Sequence, residues 1–257
     1  MSLLLTVVGC AGSFAGPDSP ASCYLLETEH EGRTWRLVLD LGSGALGGLQ
    51  RHTDPLTVDA VVLSHLHPDH CLDLTGLHVM RSHSPGGRAE QRQLVYGPPG
   101  SAERIARAHG VEKPTEVTDV FEFVTVHDRR EFTVGPFRLV PIAVNHVVET
   151  FGYRVEAGGV TIAYTGDTDS SPALSPLMAD ADLVLADSAF VEGRDQGRGI
   201  HLSGRRAAEA AVAAGGVQRL MLTHLPAWND PEVCRAQAAE VWPGEVELAE
   251  PGRSYKL

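Results

Sequence analysis

The chain has no long apolar run. No stretch approaches the roughly 18 consecutive residues that a membrane-spanning helix needs, so no membrane association is expected. Basic residues are also short: 21 Lys and Arg stand against 33 Asp and Glu, a formal net charge of −12. Nucleic-acid binding is driven by cationic groups that displace phosphate counterions, so an acidic chain without a basic tail is not expected to grip large RNA or DNA. Arg129-Arg130 and Arg205-Arg206 are read as solvated faces. Cys10, Cys23, Cys71 and Cys234 form no C-x-x-C unit, which reads as reduced thiols of a cytoplasmic protein, not a disulfide frame. No Lys or Arg precedes the apolar run Leu3 to Val8, and that run is shorter than the roughly 7–15 residues of a signal core. It is taken as a first β-strand ending in a glycine turn. No linker, low-complexity block or repeat divides the 257 residues, so one domain over residues 1–257 is expected.

What the chain does have is a concentration of metal-ligand chemistry. In His65-Leu66-His67-Pro68-Asp69-His70, three imidazoles and a carboxylate fall within six positions, directly after the apolar run Ala60-Val61-Val62-Leu63. A strand there delivers all four side chains into one loop. Imidazole and carboxylate are the usual ligands of zinc and similar divalent ions. One tetrahedral ion cannot easily use all four from so short a loop, whereas two neighbouring ions can share them.

Further donors recur after strand-like runs. His146 follows Pro141-Ile142-Ala143-Val144, Asp167 follows Val160-Thr161-Ile162-Ala163-Tyr164, and His224 follows Leu220-Met221-Leu222-Thr223. A lone His or Asp after a strand is ordinarily a surface or capping residue. Their recurrence beside the dense hexapeptide reverses that reading, because loops at strand ends are where a rigid scaffold holds functional groups.

His-x-His-x-Asp-His followed by His, Asp and His in that order resembles the metallo-β-lactamase-fold hydrolases, over essentially the whole chain. The resemblance implies an α/β fold, a four-layer αββα sandwich with the metals at the rim between two sheets. It implies that His65, His67 and His146 hold one ion, that Asp69, His70 and His224 hold the second, and that Asp167 bridges both. Zinc is the first expectation for the two divalent ions, and manganese or iron would also suit His and Asp ligands. Such ions acidify water toward a pKa of about 7 and polarise the substrate oxygen, so the expected chemistry is hydrolysis without a Ser-His-Asp triad. His67 stands where flavin-linked di-iron members of the superfamily usually carry Glu, which favours hydrolysis over oxygen reduction.

Asp187, after Leu183-Val184-Leu185-Ala186, and His201, in Gly199-Ile200-His201-Leu202-Ser203, resemble the proton-relay pair of the RNase Z-like phosphodiesterase branch. An imidazole oriented by a carboxylate is a suitable proton donor to a leaving alkoxide. With Asp69 they are the candidate catalytic residues. The chain departs from RNase Z in two ways. Only 20 residues separate His146 from Asp167, filled by two strands and a Gly158-Gly159 turn, which leaves no room for a tRNA-grasping arm. The family's His-Glu-Ala-Thr motif is replaced by Asp187-Ser188-Ala189-Phe190. The expectation is therefore a short, arm-less phosphodiesterase acting on a small or cyclic phosphodiester. A lactonase or thioesterase using the same ions is the alternative, and an inactive metal-binding scaffold ranks third. Partners expected are a small-molecule substrate and, from the family alone, a second copy of the chain.

Asp40, in Leu39-Asp40-Leu41-Gly42-Ser43-Gly44, is expected to orient a metal-bound His through a hydrogen bond. Cys71 is read as packing, and Gly9-Cys10-Ala11-Gly12-Ser13 as a tight turn. The segment from His78 to Arg92 is read as a candidate mobile flap. Helices are expected from Pro99-Gly100-Ser101 to Gly110, from Ser171-Pro172, from Ser203 to Gly215-Gly216, and from Asp230-Pro231.

Overall fold

The computed structural model describes residues 2–86 and 91–257. The first half contains β1 (Leu3–Gly9), β2 (Cys23–His30), β3 (Arg33–Leu39), α1 (Ala45–Leu49), β4 (Ala60–Val62), α2 (Pro68–Cys71), α3 (Leu74–His83), β5 (Gln93–Gly97), α4 (Ser101–His109), α5 (Thr115–Thr118) and β6 (Phe121–Thr125). The second contains β7 (Phe132–Val134), β8 (Phe137–Ala143), β9 (Phe151–Ala157), β10 (Val160–Tyr164), α6 (Leu174–Met178), β11 (Leu183–Asp187), α7 (Gly204–Ala214), β12 (Leu220–Thr223), α8 (Pro231–Ala239), β13 (Val246–Leu248) and β14 (Ser254–Lys256).

Two seven-stranded sheets result, ordered β14-β1-β2-β3-β4-β5-β6 and β13-β12-β11-β10-β9-β8-β7. Each begins with antiparallel pairs and continues in parallel, β3 through β6 in one and β10 through β13 in the other. Parallel neighbours need crossovers, and the helices supply them on the outer faces. Inward residues of both sheets, among them Tyr24, Leu37, Phe137, Tyr153 and Leu185, form the central core. A second cluster joins the back of the first sheet to α1, α3 and α4, and a third joins the back of the second sheet to α6, α7 and α8. This is the four-layer αββα sandwich. Loops at the carboxyl ends of parallel strands are where open α/β sheets place ligands, and here two such edges meet.

The helix punctuation is largely as expected. Gly110 ends α4 at φ 86°, Ser203 caps α7 by accepting from Arg206 N, and the Asp230 side chain accepts from Glu232 N at the head of α8. The helix expected from Ser171-Pro172 starts only at Leu174, after a turn. The His78–Arg92 segment is helical through His83, with Arg81 buried, so its first part is a packed element and no flap; residues 87–90 lie outside the described residues. Among the described residues no helix is long and apolar enough to cross a membrane.

Candidate metal centre

Every donor sits at the carboxyl end of a strand. β4 ends at Val62, and Ser64 and His65 follow; His67 caps α2, whose first residue Pro68 sets the turn that carries Asp69 and His70 inward. His146 follows β8, Asp167 follows β10, Asp187 is the last residue of β11, and His224 follows β12. The parallel register places Asp187 beside Thr223, so the ends of β11 and β12 are level.

The side chains converge as three groups that share Asp167, two of them made of the expected metal ligands and the third of Asp187, His201 and His224. In the first, His65, His67, His146 and Asp167 each offer a ligand atom within 4.8 Å of the others. His65 Nε2 lies 2.9 Å from His67 Nδ1, and His146 Nε2 lies 3.3 Å from the same atom. In the second, Asp69, His70, His224 and Asp167 meet the same condition. The Asp167 carboxylate divides between them. Its Oδ2 is 3.6 Å from His65 Nε2, and its Oδ1 is 3.1 Å from His70 Nε2 and 3.3 Å from His224 Nε2.

The surroundings turn ring lone pairs inward. His70 Nδ1 meets Asp40 Oδ2 at 2.7 Å, and His146 Nδ1 meets the Ile200 carbonyl at 2.8 Å. Those acceptors take the ring proton and leave Nε2 free toward the cluster, which is how a histidine ligand is oriented. Asp40 makes the expected hydrogen bond to a histidine of the cluster and has further partners: Oδ1 accepts from Ser64 N at 2.7 Å, and Oδ2 also accepts from Ser64 Oγ at 2.8 Å and Tyr164 OH at 2.6 Å. Ser64 and Tyr164 escaped the sequence reading. The available signal was the two-residue period of β10, which turns Ile162 and Tyr164 into the core, where a phenol needs an acceptor.

Two glycines have a steric reason. A Cβ on Gly12 would stand 2.3 Å from the His224 carbonyl oxygen, and one on Gly42 would stand 1.9 Å from that of Asp69. The Gly12 turn thus packs on the His224 backbone, itself at φ 57°, and brings Ser13 N to 3.3 Å from His224 Nε2.

Electrostatics divide the two clusters. Burial and the nearby His70 push the His65 pKa down, and burial and His146 lower His67. In the second cluster burial acts in the same direction, but the facing Asp167 overrides it: His70 is raised, and His224 is pushed up to about 10, with Asp187 and Asp69 adding to the effect. Burial alone would raise the Asp69 and Asp167 carboxyls, yet the imidazoles around them hold both well below the usual range.

The donor set fits divalent ions. Asp167 Oδ1 is buried without a hydrogen-bond donor among the described residues, although it lies among imidazole nitrogens. A buried carboxylate oxygen without a hydrogen bond calls for a partner, and a cation between the rings would provide one. His65, His67 and His146 would hold one ion and Asp69, His70 and His224 the other, with one Asp167 oxygen toward each. Cys71 stays outside: its Sγ reaches the His67 carbonyl at 3.3 Å, and burial pushes the thiol up to about 12, so it packs as a neutral group.

Asp187 and His201 adjoin the second cluster. His201 Nδ1 lies 2.9 Å from Asp187 Oδ2, which also accepts from Thr168 N at 3.0 Å, while Asp187 Oδ1 accepts from Ala189 N at 3.1 Å. His201 Nδ1 is 3.9 Å from Asp167 Oδ2, and Asp187 Oδ1 is 3.4 Å from His224 Nδ1. Arg206, expected on a solvated face, is buried instead. It pairs with Asp169 and, at 3.2 Å, with Glu192. Asp169 also accepts from Gly199 N at 2.8 Å, so this ion pair ties α7 to the loops carrying Asp167 and His201.

Comparison with known proteins places the chain in a family. A β-lactamase superfamily domain model matches residues 36–225. An uncharacterized protein of Mycobacterium tuberculosis is 40% identical over 250 residues, covering 96% of this chain and 89% of that protein. The probable metallo-hydrolase YhfI of Bacillus subtilis is 30% identical over 249 residues, 96% of this chain and 97% of YhfI. The YhfI crystal structure superposes with a TM-score of 0.88 at 27% identity, covering both chains fully. Ribonuclease Z of Myxococcus xanthus is 28% identical over 281 residues, covering 86% of this chain and 88% of that enzyme.

Proposed function

The chain belongs to the metallo-hydrolases of the β-lactamase superfamily, and from that premise we propose that it is a dinuclear phosphodiesterase acting on a small or cyclic phosphodiester. The observation that carries this reading is the Asp187–His201 pair, held at 2.9 Å beside the shared Asp167. Two divalent ions, zinc in the first instance, would supply Lewis-acid polarisation of the phosphoryl oxygens and an acidified water as nucleophile. The chain's own residues complete the chemistry. Asp187 fixes the His201 ring through Nδ1, and no hydrogen bond among the described residues engages His201 Nε2. Burial pulls the His201 pKa down, but the Asp187 carboxylate overrides it and the net shift is upward. His201 therefore keeps a proton that Nε2 can deliver to the departing alkoxide.

Substrate size follows from the surroundings. Between His146 and Asp167 the chain makes only the β9–β10 hairpin, with Ala157 paired to Val160, so no arm extends to hold a folded RNA. Phe14 and Trp228 stand exposed with ring centroids 4.9 Å apart, on the loops that follow Ser13 and His224. Val147 and Val148 are exposed directly after His146. These apolar groups suit a compact substituent on the phosphate better than a polyanionic backbone.

The test is hydrolysis of bis(p-nitrophenyl) phosphate by zinc- and manganese-loaded protein, with Asp167→Ala as blank. Metal-dependent turnover that disappears in Asp167→Ala and falls about 10²–10⁴-fold in His201→Ala, with metal content unchanged, is the expected result. Intact turnover in His201→Ala would remove the relay. No turnover with two ions bound would move the assignment to lactones and thioesters, and inactivity across all three classes would make the chain a metal-binding scaffold.

A further inference from the structure

The first sheet has a second feature, at the end opposite the metals. Arg33 opens β3, Asp59 precedes β4, and Gln93 opens β5, so their neighbourhood is separated from Asp40 and His65 by the length of the strands. At ~3.3 Å per residue, β3 alone spans roughly 20 Å. A cavity of about 680 Å³ lies there, and its lining includes Arg33, Arg36, Asp59, Arg81 and Arg92. Four arginines thus line it, in a chain whose net charge is −12, and three of them also reach carboxylates, Asp59, Glu27 and Glu122.

Arg81 is the unusual member. It is 5% exposed on the inner face of α3. Its guanidinium donates to Gln93 Oε1 at 3.1 Å and to the Gln91 carbonyl at 2.5 Å, both neutral acceptors, and its buried Nε has no acceptor among the described residues. No carboxylate among the described residues pairs with it. A buried cation without an anion is costly, and it is found where a partner completes the site. The other three arginines are held but not used up. Arg33 Nη2 engages Asp59 at 2.7 Å, Arg36 Nε engages Glu27 at 3.0 Å, and Arg92 Nη2 engages Glu122 at 3.0 Å, each through one nitrogen. Their remaining donors are available to a multivalent acceptor.

We propose that this cavity binds a phosphate dianion, presented as the terminal group of a small phosphomonoester, with Arg81 as the central contact and Arg33, Arg36 and Arg92 around it. Guanidinium groups bind phosphate through paired, charge-assisted hydrogen bonds, which several arginines lining one cavity can multiply. The volume lies within the range of small-molecule pockets and exceeds the needs of a bare ion. The site is independent of the metal centre and of the activity assigned to it.

Calorimetric titration of the metal-loaded protein with inorganic phosphate and with ribose 5-phosphate tests this. A bound equivalent that is weakened at least tenfold by Arg81→Gln is expected, with several-fold weakening in Arg36→Ala. Arg36 is half-buried at the surface, so its removal tests the site even where Arg81→Gln fails to fold. Diester turnover, and its inhibition by phosphate at the metals, should stay unchanged in Arg36→Ala. Tighter binding of ribose 5-phosphate identifies the monoester as ligand, whereas equal binding identifies free phosphate at the same residues. Titrations that Arg81→Gln and Arg36→Ala leave as in the wild type, or the absence of any binding beyond the metals, overturn the proposal.

Discussion

Asp40→Asn isolates what one buried carboxylate contributes to the metal centre. Asp40 is wholly buried and sits at φ 57°, a conformation that Asn tolerates, so the substitution adds little backbone strain. Oδ2 accepts from His70 Nδ1, Ser64 Oγ and Tyr164 OH, and Oδ1 accepts from Ser64 N. An amide can keep the three-donor position with its oxygen, but its NH₂ must then face the Ser64 N–H. One buried donor is left unmet, at a cost of about 1–3 kcal/mol. The reverse orientation points the NH₂ at His70 Nδ1 and drives the ring proton to Nε2, the atom that would face the second ion. Either way His70 loses an anionic partner. Removing such a partner typically weakens metal binding 10–100-fold, or about 1.4–2.7 kcal/mol. Competition of each zinc equivalent against a chromophoric chelator measures this directly. The second ion should weaken by that factor while the first changes less than about threefold. Wild-type affinity for both ions would refute the reasoning, and equal weakening of both would show general damage rather than a lost orienting bond.

Other consequences are equally direct. Gly12→Ala puts a methyl group 2.3 Å from the His224 carbonyl oxygen, so His224 must move; the second zinc should weaken more than about tenfold in the same competition assay. Arg206→Met leaves Asp169 buried without its cation, which should cost about 3–5 kcal/mol. In thermal denaturation that is a Tm loss of roughly 6–20 °C for a chain of this size. Metal uptake should also differ in its coupling to protons. In the metal-free protein His65, His67 and His146 have lowered pKa values and are neutral at pH 7. His70 and His224 have raised values, and their Nε2 atoms, 3.2 Å apart, admit one proton between them. Filling the second site at pH 7 should therefore release about one proton and the first site none. Calorimetry in buffers of different ionisation enthalpy reads this, and second-site affinity should fall about tenfold per pH unit on acidification.

The amino-acid sequence by itself determined the hexapeptide loop and which strands end in His or Asp, because these depend on local patterning, whereas the two-sheet sandwich was implied by the family resemblance. Strand signals are local, so β1, β4 and β8 through β12 were legible, while β7, β13 and β14 were not. β14 exists because Leu4 and Leu5 offer an edge for Lys256 and Tyr255 to pair with, a contact across nearly the whole chain. The roles of Arg206 and Arg81 were invisible for the same reason. A charged side chain on a helix reads as solvated until the helix is docked, and only docking put Arg206 against Asp169 and Arg81 beneath β5. Tertiary structure also decided how Asp167 divides its oxygens, which ring nitrogens turn inward, and that Ser64 and Tyr164 share Asp40 with His70. Residue types at strand ends specify what chemistry is available. Distances between residues far apart in sequence are set by how the two sheets pack, and it is packing that turns those separate donors into one site.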